Sequence, residues 1–363
     1  MSYYKKYLDY LSKDISGKVK WGYFIFFITS RCNSRCQHCF YWKNLNKKDD
    51  LTLEEITKIT KNAGKIQVLL LSGGEPFLRE DLFEIIKLFI KNNDVKVVSI
   101  PTNGIDTAKI IKNTERLVKK FPDITFSVNP SVDNLGDKND ILRGVKGCFQ
   151  KSVKTIKILE KLRKKYKNLE IVINTTISNN NYEDIDEIID FFKKFNITYH
   201  NFELLRGEPK ERSLYLPSIE KIKKIHKKVI NLREFYIKRN KNKSRINELI
   251  ERVSVLGVNK YSQKIKEDVL LSKNLPFICS AGRNIIVLEY NGDVRLCELT
   301  PSIGSLRKNN YNLQKLLKSD VAVKAFQDVK KCKCTHICFI NMSIAKDKKS
   351  LIKVPFYFLK WKS

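Results

Sequence analysis

From Gly22 to Leu205, short apolar runs alternate with amphipathic stretches. The runs predict strands at 23–29, 67–72, 95–101, 124–131, 169–177 and 198–205. The stretches between them carry apolar residues near helical spacing and predict helices at 52–64, 80–92, 107–121, 147–166 and 182–195. Thr52 stands where an N-cap belongs, with Glu55 three residues on as the capping-box partner, and Gly64 closes that helix. Strands separated by helices are repeated βαβ units, which build a parallel α/β sheet. Right-handed crossovers curl such a sheet into a barrel or partial barrel. Working residues are then expected at the C-terminal ends of the strands.

The texture changes after residue 217. Residues 218–275 are Lys-rich, helical in period and poor in strand patterns, and read as a helical bridge with a charged outer face. Residues 276–345 hold the five later cysteines. Residues 346–363 form an aromatic, basic tail, which packing across the open barrel mouth suits better than contact with a membrane interface. The divisions are thus 1–21 as a lead-in, 22–217 as the barrel, 218–275, 276–345 and 346–363. No apolar run reaches the roughly 18 residues of a membrane span. The first residues are polar and charged, unlike a secretion signal, so the expected location is cytoplasmic.

The formal net charge is +31. Nucleic acid is a possible partner of so basic a chain. The charge is nevertheless dispersed and dominated by Lys, whereas phosphate-reading surfaces concentrate charge and use Arg forks. Nine cysteines in a chain without a secretion signal point to metal rather than to disulfides. Three of them, Cys32, Cys36 and Cys39, fall within eight residues directly after the first strand. Three thiolates hold a soft metal centre while leaving one position open.

Other strand ends carry chemistry too. Ser72-Gly73-Gly74-Glu75-Pro76 follows the second strand, and Thr102-Asn103-Gly104 the third. Asn129-Pro130-Ser131-Val132-Asp133 follows the fourth, with Arg143-Gly144 downstream, and Asn174-Thr175-Thr176 ends the fifth. The C-x3-C-x2-C loop, the GGEP segment and these turns, in this order, resemble the radical S-adenosylmethionine (radical SAM) superfamily over roughly residues 23–207. One departure is Asn134, where that family commonly has Gly.

The resemblance implies a partial (β/α)6 TIM-like barrel and a specific chemistry. Cys32, Cys36 and Cys39 would hold a [4Fe-4S] cluster, and S-adenosylmethionine would chelate its open iron. One electron, from a donor such as a ferredoxin or flavodoxin, would cleave the cofactor to a 5′-deoxyadenosyl radical that abstracts substrate hydrogen. Gly73, Gly74 and Glu75 would receive the methionine amino end. His38 would lie near adenine, and Ser131, Asp133, Asn174 and Thr176 would be candidates for ribose or carboxylate contacts.

A second cysteine group follows, as Cys279-x12-Gly292-x4-Cys297 and then Cys332-x-Cys334-x3-Cys338. Between Cys279 and Cys297 the chain reads as a β-hairpin turning at Asn291-Gly292, which would bring the two cysteines together. The arrangement resembles the auxiliary-cluster domain called SPASM, or its shorter twitch form, and implies a small C-terminal cysteine-rich domain with a second [4Fe-4S] cluster. The later cysteines are fewer than in a full SPASM domain. Four thiolates suffice for one cluster, so Cys279 and Cys297 need two of Cys332, Cys334 and Cys338. A four-cysteine zinc site is the competing reading. Cys148 stands alone and reads as a small buried hydrophobe. The leading expectation is a radical SAM enzyme whose substrate is unknown, with a peptide or protein among the candidates. An RNA-modifying enzyme and a non-catalytic iron–sulfur scaffold or sensor are the alternatives.

Overall fold

The computed structural model describes residues 20–239 and 245–360. The lead-in before Lys20 and the last three residues of the tail lie outside them. The fold is built on strand β1 (Trp21–Thr29), which is buried along its whole length. It lies parallel to β2 (Ile66–Gly73) on one side and to β7 (Ile285–Leu288) on the other, with Tyr23 opposite Val68 and Ile285. A strand paired on both edges and covered on both faces has no polar side, which is why its sequence is a continuous apolar run.

The sheet continues through β3 (Val97–Thr102), β4 (Thr125–Pro130), β5 (Leu169–Ile177) and β6 (Tyr199–Leu204), each parallel to the last. The spatial order is β6-β5-β4-β3-β2-β1-β7-β8-β9. The six parallel strands form the expected partial barrel. Strands β8 (Asp293–Arg295) and β9 (Ser302–Ser305) add antiparallel, so the C-terminal part extends the same sheet. The hairpin turns at Gly292, whose φ of +90° suits glycine.

Helices α1 (Leu53–Ala63), α2 (Leu82–Asn93), α3 (Thr107–Lys120), α4 (Gly136–Arg143), α5 (Cys148–Lys165) and α6 (Ile185–Lys193) fill the barrel crossovers. The capping box of α1 is formed: Thr52 Oγ1 accepts from the Glu55 amide at 3.2 Å, and Glu55 Oε2 accepts from the Thr52 amide at 2.8 Å. Helix α4 escapes the apolar pattern because the residues it buries include Asn139 and Arg143, which serve the site. Cys148 opens α5 and is buried, but it has polar neighbours: Asn139 Nδ2 donates to its Sγ, and the thiol donates to Asp140 Oδ1.

The helical bridge consists of α7 (Ile219–Arg239) and α8 (Arg245–Leu270). Helices α9 (Leu313–Leu317), α10 (Asp320–Lys330), α11 (Ile337–Lys346) and α12 (Lys348–Lys360) complete the described chain. The described part of the tail does not line the cavity at the barrel mouth. It forms α12 and lies along α8, where Tyr357 stacks on Tyr261 with ring centroids 4.6 Å apart. Gly257 permits the approach, since a Cβ there would sit 2.6 Å from the Val354 carbonyl oxygen. No helix among the described residues is long and apolar enough to cross a membrane.

Candidate functional site

A cavity of about 350 Å³ opens at the C-terminal ends of the barrel strands. Cys32, Cys36, His38 and Cys39 line it, together with Gly73, Gly74, Glu75, Ser131, Asn174 and Thr176. Every strand-end candidate except Asp133 therefore faces one space.

The cysteine loop is fastened from three sides. The Gly74 and Glu75 amides each donate, at 2.8 Å, to the Thr29 and Arg31 carbonyls. The closeness requires glycine: a Cβ on Gly74 would lie 2.1 Å from the Arg31 carbonyl oxygen, and one on Gly73 would lie 2.6 Å from that of Thr29. On a second side, the Arg35 and Gln37 amides donate to the carbonyls of Arg143 and Leu142 at 3.1 and 2.9 Å. On the third, Asn103 Nδ2 donates to Asn33 Oδ1 at 2.6 Å.

Glu75 is buried at 3% exposure. Its carboxylate accepts from Thr102 Oγ1 at 2.9 Å, the Asn103 amide at 2.6 Å and the Phe77 amide at 3.2 Å. Burial nevertheless raises its pKa to about 7. The Thr102-Asn103-Gly104 turn thus links Glu75 to the cysteine loop.

Asp133 lies behind the cavity wall. Its Oδ2 is 3.0 Å from Arg143 Nη1 and 3.6 Å from His38 Nε2, and its Oδ1 accepts from the Thr176 amide at 2.8 Å. Burial opposes its charge, but His38, Arg143 and the Thr176 amide together hold the carboxyl below its ordinary range. Burial lowers the pKa of His38 in turn, against the pull of Asp133. Arg143 was signalled in sequence only as the residue before Gly144. Asn139, which accepts from the amides of Asp133 and Asn134, carried no pattern at all.

The three thiols are in no disulfide. Within their loop, Ser34 Oγ and Gln37 Oε1 are buried without a hydrogen-bond partner. Among the described residues, no three Cys, His, Asp or Glu side chains converge closely enough to grip one metal ion. Three soft donors lining one cavity fit an iron–sulfur cluster with one open iron, whereas a structural zinc site is closed by four ligands.

The far wall, apart from the metal-ligand candidate Cys338, was not legible in the sequence. It comprises Glu203, Arg206, Glu298, His336 and Cys338. Arg206 Nη2 is 3.1 Å from Glu298 Oε2, and its Nη1 is 3.6 Å from Glu203 Oε2. His336 Nε2 is 3.6 Å from the same Glu298 oxygen. Strand-end placement was the available pointer to Glu203 and Arg206, and adjacency to Cys297 the pointer to Glu298.

The later cysteines divide. Burial pushes the Cys279 and Cys297 thiols up, and both also feel Cys334. A hydrogen bond from Cys332 holds Cys334 down and pushes Cys332 up, and Cys332 feels Cys279 and Cys297 as well. Cys338 is influenced first by burial, then by Glu203, Glu298, Arg206 and Lys266. Of the five, it alone lines the cavity.

Residues 26–192 match the family model described as the Radical SAM superfamily. The chain is 28% identical over 166 residues to the pre-heme d1 synthase of Dinoroseobacter shibae, covering 45% of this chain and 38% of that one. It is 28% identical over 223 residues to the probable GTP 3',8-cyclase of Methanococcus aeolicus, covering 57% and 64%. The chain spans less than two thirds of the length of these relatives. A solved structure of anSMEcpe with bound AdoMet and Cp18Cys peptide has a TM-score of 0.59 at 20% identity, covering 94% of this chain and 96% of that one. Streptococcus suis SuiB bound to precursor peptide SuiA has a TM-score of 0.58 at 16% identity, covering 95% and 77%. Likeness at such identities is likeness of fold, and it extends over the C-terminal part. The cysteine loop, the glycine pair and the later strand-end turns all fall within the segment that matches the radical SAM superfamily.

Proposed function

We propose that the chain is a radical SAM enzyme acting on a peptide or protein in the cytoplasm. The observation that carries this reading is one cavity shared by the three loop thiols, the strand-end motifs and the C-terminal wall. The superfamily's cofactors are a [4Fe-4S] cluster and S-adenosylmethionine, which when bound supply reductive C–S cleavage and a radical that takes hydrogen from the substrate. Cys32, Cys36 and Cys39 hold the cluster, and a one-electron donor such as a ferredoxin or flavodoxin serves it. Gly73 and Gly74 keep the backbone close and leave no side chain in the way, while Glu75 is fixed by Thr102 and Asn103. His38, Ser131, Asn174 and Thr176 border the cofactor. Asp133 positions His38, Arg143 and Thr176 from behind. The four interacting thiols Cys279, Cys297, Cys332 and Cys334 supply the donors of a second [4Fe-4S] cluster. Peptide as the substrate class is supported by the two fold neighbours solved with peptides bound. The test is anaerobic reconstitution with iron and sulfide, followed by dithionite and S-adenosylmethionine. Formation of 5′-deoxyadenosine is expected, and its absence from a fully iron-loaded protein would overturn the proposal.

A further inference from the structure

We propose that Cys338 is a substrate-facing thiol rather than a metal ligand, and that its wall receives a neutral hydrogen-bonding group such as an amide. The inference rests on the radical SAM reading of the cavity. Two placements motivate it. Cys338 shares the cavity with the loop cysteines, whereas Cys279, Cys297, Cys332 and Cys334 do not line it. Beside Cys338 on that wall stand the carboxylates of Glu203 and Glu298 and the guanidinium of Arg206.

A second, independent feature points to a ligand. His336 lines the same cavity, is 4% exposed, and its Nδ1 is buried without a partner. An orphaned buried nitrogen on a cavity wall is costly unless something bonds to it.

Charge decides the class of that something. The arginines that line the cavity are Arg143 and Arg206. Arg143 is committed to Asp133, and Arg206 lies between Glu203 and Glu298. Lys266, buried behind the wall, acts on Glu203, Arg206 and Cys338. An anionic group arriving here would meet two carboxylates and find its cations already matched, so it would be buried uncompensated. An amide brings a donor and an acceptor and no charge. The wall is also joined to the second thiol set through the chain, because Glu298 follows Cys297 and His336 lies between Cys334 and Cys338.

The test uses the anaerobically reconstituted full chain and two alkylating reagents. Iodoacetamide carries a neutral amide, and iodoacetate the same skeleton with a carboxylate. Rates at Cys338 are followed by peptide mass spectrometry and divided by the rates of N-acetylcysteine under the same conditions. The normalised preference for iodoacetamide is expected to be about tenfold or more, as like charges within a closed site demand, and to shrink in Glu298→Gln. Iron content supplies a readout independent of activity. Cys338→Ala is expected to keep the wild-type iron content, while Cys334→Ala loses about half, one cubane of two. A Cys338 that loses iron on substitution, that resists both reagents, or that shows no preference would overturn the inference. A wild-type protein that takes up no iron would instead overturn the proposed function on which it rests.

Discussion

At Gly74 the demand on one residue is sharpest. Its missing side chain lets the segment after β2 bond directly to the loop that carries Cys32, and a Cβ there would meet a carbonyl oxygen at 2.1 Å. Gly74→Ala is expected to cost about 2–3 kcal/mol, the range of overpacking in a closed site, and to lower iron retention at the first cluster. Chemical denaturation and iron analysis of the same preparation would check both. Cys36 and Cys148 make a second contrast. Cys36→Ala removes a donor from a three-thiol set and is expected to abolish 5′-deoxyadenosine formation. Cys148→Ala touches neither thiol group and is expected to leave it near wild type, with a stability loss of about 1 kcal/mol from the lost hydrogen bonds. Unchanged product from the Cys36 variant would contradict the site assignment.

Helix α1 is tied to the C-terminal extension by Glu55, a link between elements. Besides capping its own helix, Glu55 accepts from Arg307 Nε at 2.6 Å, Arg307 Nη2 at 3.1 Å and Tyr311 Oη at 3.0 Å. These bonds, Arg307's first, lower its pKa from 4.5 to about 2. A carboxyl depressed in the folded state stabilises it fully above the unfolded pKa and loses that contribution as pH falls through the folded one. The expected outcome is stability that declines between about pH 4.5 and pH 2 and a flatter profile for Glu55→Gln. At pH 7 that variant should lose about 1–2 kcal/mol, less than the full shift implies because Arg307 is partly exposed. Urea midpoints across pH would show it. The capping box that began this interaction was legible in Thr52 and Glu55. Its second use was not, because Arg307 is remote in sequence and nothing in a one-dimensional pattern pairs it with Glu55. The same contrast separates β1, whose apolar run announced a buried strand, from α4, whose buried face is polar and left no periodic trace.

Over the whole molecule, the order of the strand-end motifs reported the barrel before any coordinate did, since each motif closes a βα unit and the units follow in sequence. Apart from Cys338, the far wall was illegible for the complementary reason: Glu203, Glu298 and Cys338 come from three separate segments that only the fold assembles. Two cubanes, about eight irons per chain, are expected after reconstitution. Cys279→Ala should retain about four and some uncoupled S-adenosylmethionine cleavage, while substrate turnover is lost. Circular dichroism must accompany the assay, because loss of a metal site can unfold the element that carries it. Stoichiometric zinc with four irons would instead identify the second centre as structural.

The seat of β7 beside β1 also has a consequence for biosynthesis. Tyr23 leaves the ribosome early, but its neighbour Ile285 emerges only after the entire barrel and both bridge helices. Until then a strand buried along its whole length has one edge unpaired, a template for joining another chain. Contacts so distant in sequence form slowly, and nascent chains with open edges stick to one another. Ribosome-bound or truncated forms ending before β7 should therefore depend on chaperones or aggregate, and adding β7 through β9 should release them. The last strands would then act as a stopper, fitted once the rest of the vessel has been made.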